Sequence, residues 1–277
     1  MQHEKLLGVM GRWAIHLKDY IESSEFDSIL KELGSRKGTR IRTAPESSDM
    51  FQAFSTVSPE KLRVLLVGIC PYHTFKNDKP VADGLALSCS KTGMLQPSLD
   101  NWYHALESEY NNGELDPDMD KDPSLLYLCD QGVMLYNVGL TVKENMVCSD
   151  NMLWSGFNKA FWECINREHR GIPIILMGQE AHKSAQYINP LRHYIFKISH
   201  PAGSAYAGTV YSTEGTFRKV DKILMDNNGD GILWYKKKEW KEKRITWEEL
   251  AKDKTPGGKR TIDKEFDSAF SDMPWDN

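Results

Sequence analysis

Cys70, Tyr72 and His73 stand together just after the apolar run Leu65-Leu66-Val67-Gly68-Ile69. A buried strand that breaks at a glycine and turns delivers such side chains to a site at its C-terminal end. The turn presents a thiol, a phenol and an imidazole. A thiol with a pKa of about 8.5 is mostly neutral at pH 7; ionised, it is a nucleophile. Two more polar residues hold equivalent places. Asn137 closes the run Val133-Met134-Leu135-Tyr136, and His200-Pro201 follows the run from Tyr194 to Ser199. Plain structural readings exist beside the chemical ones: an asparagine capping a strand end, a satisfied histidine before a proline, an aromatic lid on a sheet.

The elements that must position these groups alternate. Strands are expected at Arg63 to Gly68, Val133 to Asn137, Pro173 to Gly178 and Tyr194 to Ser199. Helical spacing runs from Trp13 to Leu33, from Pro97 to Tyr110 with Ser98 as a natural N-cap, from Trp154 to Ile165, from Ala181 to Tyr187 and from Gly215 to Leu224. This alternation predicts an α/β fold, a three-layer α/β/α sandwich around a short, mostly parallel four-stranded sheet. The polar and glycine-bearing motifs fall after strand ends, the edge that carries the site in open α/β sheets. Asn111 to Asp122 is acidic and turn-rich and reads as an exposed loop.

Composition narrows the class. The 277 residues are 40% hydrophobic and 27% charged with a net charge of −4, so there is no global basic signal for nucleic acid. A local phosphate-binding face needs few groups and can use backbone N–H donors. No apolar run approaches the roughly 20 residues of a membrane span. The start, Met1-Gln2-His3-Glu4-Lys5, lacks a secretory pattern. Five cysteines without a CxxC pair suggest reduced thiols in an intracellular protein and no structural zinc.

The motifs, taken in order over roughly residues 10–225, resemble family 1 uracil-DNA glycosylases. Pro45 with Phe51-Gln52-Ala53-Phe54 is similar to the segment before the first motif. Gly68-Ile69-Cys70-Pro71-Tyr72-His73 resembles Gly-Gln-Asp-Pro-Tyr-His, and Gly84-Leu85-Ala86-Leu87-Ser88 resembles Gly-Leu-x-Phe-Ser. Pro97-Ser98-Leu99 with Asn101 is similar to the proline–serine loop. Gly132 to Asn137 with Leu140-Thr141-Val142 resembles the uracil-reading strand. Gly178 with Ala181 and Lys183, and then His200-Pro201, resemble the last two loops.

Such enzymes flip a base out of DNA and break its N-glycosidic bond, without cofactor or metal. The resemblance implies that Asn137 reads the uracil edge, that neutral His200 donates to uracil O2, and that Tyr72 excludes a thymine methyl. It assigns Ile69 and Leu87 to the base pocket, and Pro97, Ser98, Gly178 and Gln179 to DNA contacts. Several positions depart from the pattern. Cys70 replaces the aspartate that orients water and balances the sugar cation; losing such a group costs on the order of 10²–10⁴ in rate. Leu87 replaces a stacking phenylalanine, Ile69 a glutamine and Gln179 a serine. Ala202-Gly203-Ser204-Ala205 lacks the leucine wedge, a part left to Tyr206. The expectation is a DNA-binding homologue with weak or lost excision that acts as an adaptor in replication or repair. The alternative is an active glycosylase in which Asp83 substitutes for the missing carboxylate, or in which Cys70 captures the sugar covalently. Poxvirus glycosylases also carry isoleucine at the position of Ile69 and double as polymerase processivity subunits, which suggests a viral source.

Composition changes after Met225, so 1–225 is read as the glycosylase-like domain and 226–277 as an extension. Asp226-x-Asn228-x-Asp230-Gly231 starts like a calcium loop but has Lys237 where the bidentate glutamate belongs, and reads as a turn. Lys236 to Arg244 with Trp240 is either a nucleic-acid contact or a solvated face. Asp272-Met273-Pro274-Trp275-Asp276 resembles the acidic, aromatic-ended tips that dock replication and repair proteins.

Overall fold

The computed structural model describes residues 6, 8–111, 118–208 and 210–237. Residues 238–277, with the rest of the basic run and the acidic aromatic tail, lie outside the described residues. The four apolar runs form β1 (Val64–Gly68), β2 (Val133–Asn137), β3 (Pro173–Met177) and β4 (Tyr194–Ile198). They make one sheet in the order β2-β1-β3-β4, every pair parallel. The first three are buried along their whole length, as expected of parallel strands covered on both faces, whereas β4 at the edge is partly open. Register sets Gly68 beside Asn137 and Met177 beside Ile198. All four strands therefore discharge their loops at one edge.

The principal helices are α1 (Ser24–Ser35), α2 (Pro97–Tyr110), α3 (Ser155–Glu168), α4 (Pro201–Ala207) and α5 (Thr216–Asn228). Phe157 and Phe161 of α3 meet Trp13, Phe26 and Phe54, and Phe161 stacks on Tyr136 of β2 with ring centroids 4.5 Å apart. A second aromatic group joins α2 to α5 through Trp102, Phe217 and Trp234. Among the described residues no helix is long and apolar enough to cross a membrane.

Three expectations change. The helical stretch from Trp13 to Leu33 is not continuous: it breaks into Trp13–His16, Lys18–Ile21 and α1. Ser23 starts the last of these by accepting a bond from the Phe26 N–H, and an N-cap serine favours a new start over continuation. The loop expected over Asn111 to Asp122 is partly ordered. Met119–Asp120 pairs antiparallel with Lys236–Lys237, and Asp122 is buried in an ion pair with Lys236. Lys236 also lies over the Tyr127 ring, so the first residue of the basic run is not a solvated contact. The described chain beyond 225 also packs on the rest: α5 runs to Asn228, Trp234 is fully buried, and Asp230 pairs with Arg63.

Candidate active site

A cavity of about 330 Å³ opens at the C-terminal edge of β1 and β2. Its walls come from the loop 69–74, the end of β2, the first turn of α2, and the junction of β4 with α4. Cys70, Tyr72, Asn137 and His200 all line it, with Ile69, Leu87, Pro97 and Ser98. The structure thus brings together every base-binding and catalytic residue named from sequence.

Asn137 is 3% exposed. Among the described residues no hydrogen bond is made by its carboxamide, which leaves a donor and an acceptor free. Gly68 makes room for it: a Cβ there would stand 2.5 Å from Asn137 Oδ1. His200 caps α4, its Nδ1 accepting from the Ala202 N–H at 3.2 Å. A neutral ring that accepts at Nδ1 carries its proton at Nε2. Burial lowers the His200 pKa to about 4, so the ring is a neutral donor at physiological pH. Gly178, at φ +85°, lets the loop after β3 approach; a Cβ there would meet His200 Cβ at 2.8 Å and Ile69 Cδ1 at 2.9 Å. The Asn101 side chain donates to the Pro201 carbonyl at 3.2 Å and ties α2 to the His200 turn.

Ser98 is not the N-cap expected of it. The N-cap position of α2 is Gln96, and Pro97 takes the first turn. The Ser98 hydroxyl is buried and lies 2.7 Å from the Tyr72 hydroxyl, which itself donates to the Leu87 carbonyl at 3.2 Å. Ser98 fixes the tyrosine that walls the cavity. Leu87 presents an aliphatic side chain at φ +65°.

The Cys148 side chain and burial push the Cys70 pKa up, so Cys70 is a neutral thiol. Asp150 is near enough to add to this shift. However, it is 1% exposed and taken up by Arg36 at 2.7 and 3.0 Å and by Thr141 Oγ1 at 2.7 Å. Asp83 does not substitute for the carboxylate. It accepts from Ser88 Oγ, from Ser90 N and Oγ and from Leu85 N, holds the 85–90 turn together, and is absent from the cavity wall.

Gly178 and Gln179 lie beside the cavity without lining it, and Gln179 is exposed at the start of the short helix Gln179–His182. Tyr206 belongs to α4, but its side chain lies outside the described residues. Three participants had no role assigned from sequence. His73 lines the cavity, and among the described residues its buried Nδ1 has no partner; its nearness to Cys70 was the available signal. Val147 lines the cavity and Cys148 raises the Cys70 pKa, and nothing in their local sequence marks either. Among the described residues no cluster of His, Cys, Asp and Glu is placed to hold a metal ion.

No protein-family model matches the chain. The uracil-DNA glycosylase of Proteus mirabilis is 32% identical over 218 residues, 77% of this chain and 91% of the relative. That of Acinetobacter baylyi is 29% identical over 237 residues, 84% of this chain and 96% of the relative. In fold, the chain is similar to the crystal structure of mimivirus uracil-DNA glycosylase. The TM-score is 0.70 at 22% identity, over 80% of this chain and 86% of that one. The Proteus likeness extends across nearly the whole of that relative, and the mimivirus likeness is one of fold. By these the chain belongs to the uracil-DNA glycosylase family.

Proposed function

We propose that this protein binds DNA, holds an extruded uracil in the cavity, and hydrolyses its N-glycosidic bond far more slowly than a carboxylate-bearing site would. One observation carries this reading: Asn137, Tyr72 and a neutral His200 share a cavity whose wall includes a protonated Cys70 and, among the described residues, no carboxylate.

Cleavage breaks the bond between the sugar and the base. The electron pair leaves on the base, and the sugar becomes an oxocarbenium ion that water captures with loss of a proton. His200 Nε2–H donates to the base oxygen as negative charge grows there, an interaction strengthened in a water-poor site. Asn137 supplies one donor and one acceptor to the base edge, and Tyr72 fills the space a methyl would need. The cation side is poorly served. A neutral thiol brings no charge, and Asp150 is spent on Arg36. Loss of a general base costs on the order of 10²–10⁴ in rate, which leaves slow turnover driven by departure of the base.

Slow chemistry with an intact pocket favours a role in holding DNA for other proteins inside the cell, with residues 266–277 as the docking segment. Deleting that segment should leave DNA binding intact and remove partner capture. For the central reading, the protein is incubated at stoichiometric amounts with uracil-containing single- and double-stranded oligonucleotides, then treated with alkali. Slow strand cleavage that is lost in His200→Ala is expected. Neither cleavage nor binding of the uracil oligonucleotide would overturn the reading.

A further inference from the structure

The two edges of the sheet differ. At one, β2 is buried throughout; at the other, β4 is partly open. The Tyr194 N–H donates to the Ile172 carbonyl and the Gly178 N–H to the Ile198 carbonyl. By the alternation of a parallel ladder, the backbone groups of Tyr194, Phe196 and Ile198 then face β3, and those of Ile195 and Lys197 face outwards. Among the described residues nothing bonds to these outward groups. An open edge is a template for another strand. Its surroundings are apolar: Leu191 is 87% and Tyr194 44% exposed, Tyr187 is exposed, and Ile195 and Phe196 are half-buried. They are also basic. From Ala181 to Thr213 the chain carries no aspartate or glutamate. Lys183 is taken up by Glu180, but Arg170, Arg192 and Lys197 form no ion pair among the described residues. A bond from the Gly171 N–H to the Arg192 carbonyl sets Arg170 beside Arg192.

We propose that Phe266-Asp267-Ser268-Ala269-Phe270-Ser271 of this same chain adds to β4 as a fifth strand of the sheet. The segment complements the edge in pattern and in charge. Side chains alternate between faces along a strand, so Phe266 and Phe270 share one face and Asp267 takes the other. On β4, Tyr194 and Phe196 share one face and Lys197 takes the other. A register that lays the two phenylalanines on the side of Tyr194 and Phe196 therefore brings Asp267 to the side of Lys197. Glu265 and Asp272 flank the segment, and no lysine or arginine occurs from Glu265 to Asn277, which suits an edge whose charges are Arg170, Arg192 and Lys197. Pro274, which cannot donate to a ladder, stands beyond the segment. Reach is sufficient. Residues 238–265 extend to about 90 Å at most, against a width of about 45 Å for a domain of this size. A second copy suits the edge less well: two β4 strands paired about a two-fold axis bring Arg192 and Lys197 of both copies together with no acid between them. The added strand leaves Asp272 to Asp276 beyond the sheet for the partner role proposed above, and its formation does not rest on the uracil-binding reading.

The test reads amide hydrogen exchange in the full chain by nuclear magnetic resonance, without DNA and at several protein concentrations. The Ile195 and Lys197 N–H groups are expected to exchange about tenfold faster in the double variant Phe266→Ser with Phe270→Ser than in the wild type. Lys197→Glu should speed exchange at Ile195 about threefold, the size of effect an exposed ion pair gives, and Asp267→Lys added to it should restore the protection. Equal exchange in the wild type and the double phenylalanine variant would overturn the proposal, as would a charge swap that restores nothing. Protection that grows with concentration and survives loss of both phenylalanines would give the edge to a second copy. Protection that appears only on adding a uracil oligonucleotide would give it to nucleic acid. Either result overturns the proposal.

Discussion

The Tyr72 hydroxyl is held from two sides, by Ser98 Oγ and by the Leu87 carbonyl. A neutral hydrogen bond contributes about 1 kcal/mol, so Ser98→Ala should loosen the ring and narrow the preference for uracil over thymine about fivefold. Competition binding of matched oligonucleotides measures this; an unchanged preference would move methyl exclusion to another wall. Asn137, Tyr72 and His200 were legible in the sequence because each follows an apolar run at a predicted strand end. Ser98 was not. A serine after a proline at a helix start fits a cap as well as a phosphate contact, and its partner Tyr72 lies far away in sequence. Asp83 misled for the converse reason. Closeness to Cys70 in sequence does not carry it into the cavity, since Ser88 and Ser90 hold it in its own turn.

At the scale of elements, the cavity depends on loops held from behind. Arg36 and Asp150 are a buried pair, joined to Thr141 and through it to Trp154 Nε1 at 2.8 Å. Arg36→Met leaves the Asp150 carboxylate buried without its cation. Breaking such a pair costs about 3–5 kcal/mol, measured as a lowered urea midpoint, and the double variant Arg36→Met with Asp150→Leu should recover most of the loss. A single variant as stable as the wild type would remove this pair from the framework. Gly178→Ala tests the other wall. Its Cβ would press on His200 Cβ and Ile69 Cδ1 at a φ that disfavours side chains, so uracil binding should weaken with little loss of helix signal in circular dichroism. Strands were easier to read than helix ends. Continuous apolar runs mark β1 to β3, whereas the spacing from Trp13 to Leu33 satisfies one helix or three, and the Ser23 cap decides for three.

For the molecule as a whole, the parallel four-stranded sheet, the covering helices and the single active edge followed from alternation of strand and helix patterns. The end of the described chain did not. Trp234 and Lys236 are held by partners more than 100 residues earlier in sequence, and a basic run looks solvated until such partners are known. Acid sensitivity also belongs to this scale. His193 is buried, and desolvation lowers its pKa to about 4, as burial does for His200. Both lie below the unfolded value of about 6.5. Above about pH 6.5 the rings are neutral in both states and add no pH dependence. As pH falls from 6.5 towards 4, the unfolded chain binds protons that the folded chain refuses, so stability drops. Below about 4 the two rings cause no further loss. Urea unfolding at pH 7 and pH 4.5 should show the drop, and His193→Leu should make it smaller; an unreduced drop in that variant would assign it to other groups.

The most direct test of the account is the single-turnover excision rate of a uracil-containing oligonucleotide by the wild type and by Cys70→Asp. A carboxylate restored beside Tyr72, Asn137 and His200 is predicted to raise the rate by about 10²-fold or more, with uracil binding little changed. A wild type that already matches or exceeds Cys70→Asp would contradict the claim that the pocket was kept while its carboxylate chemistry was lost.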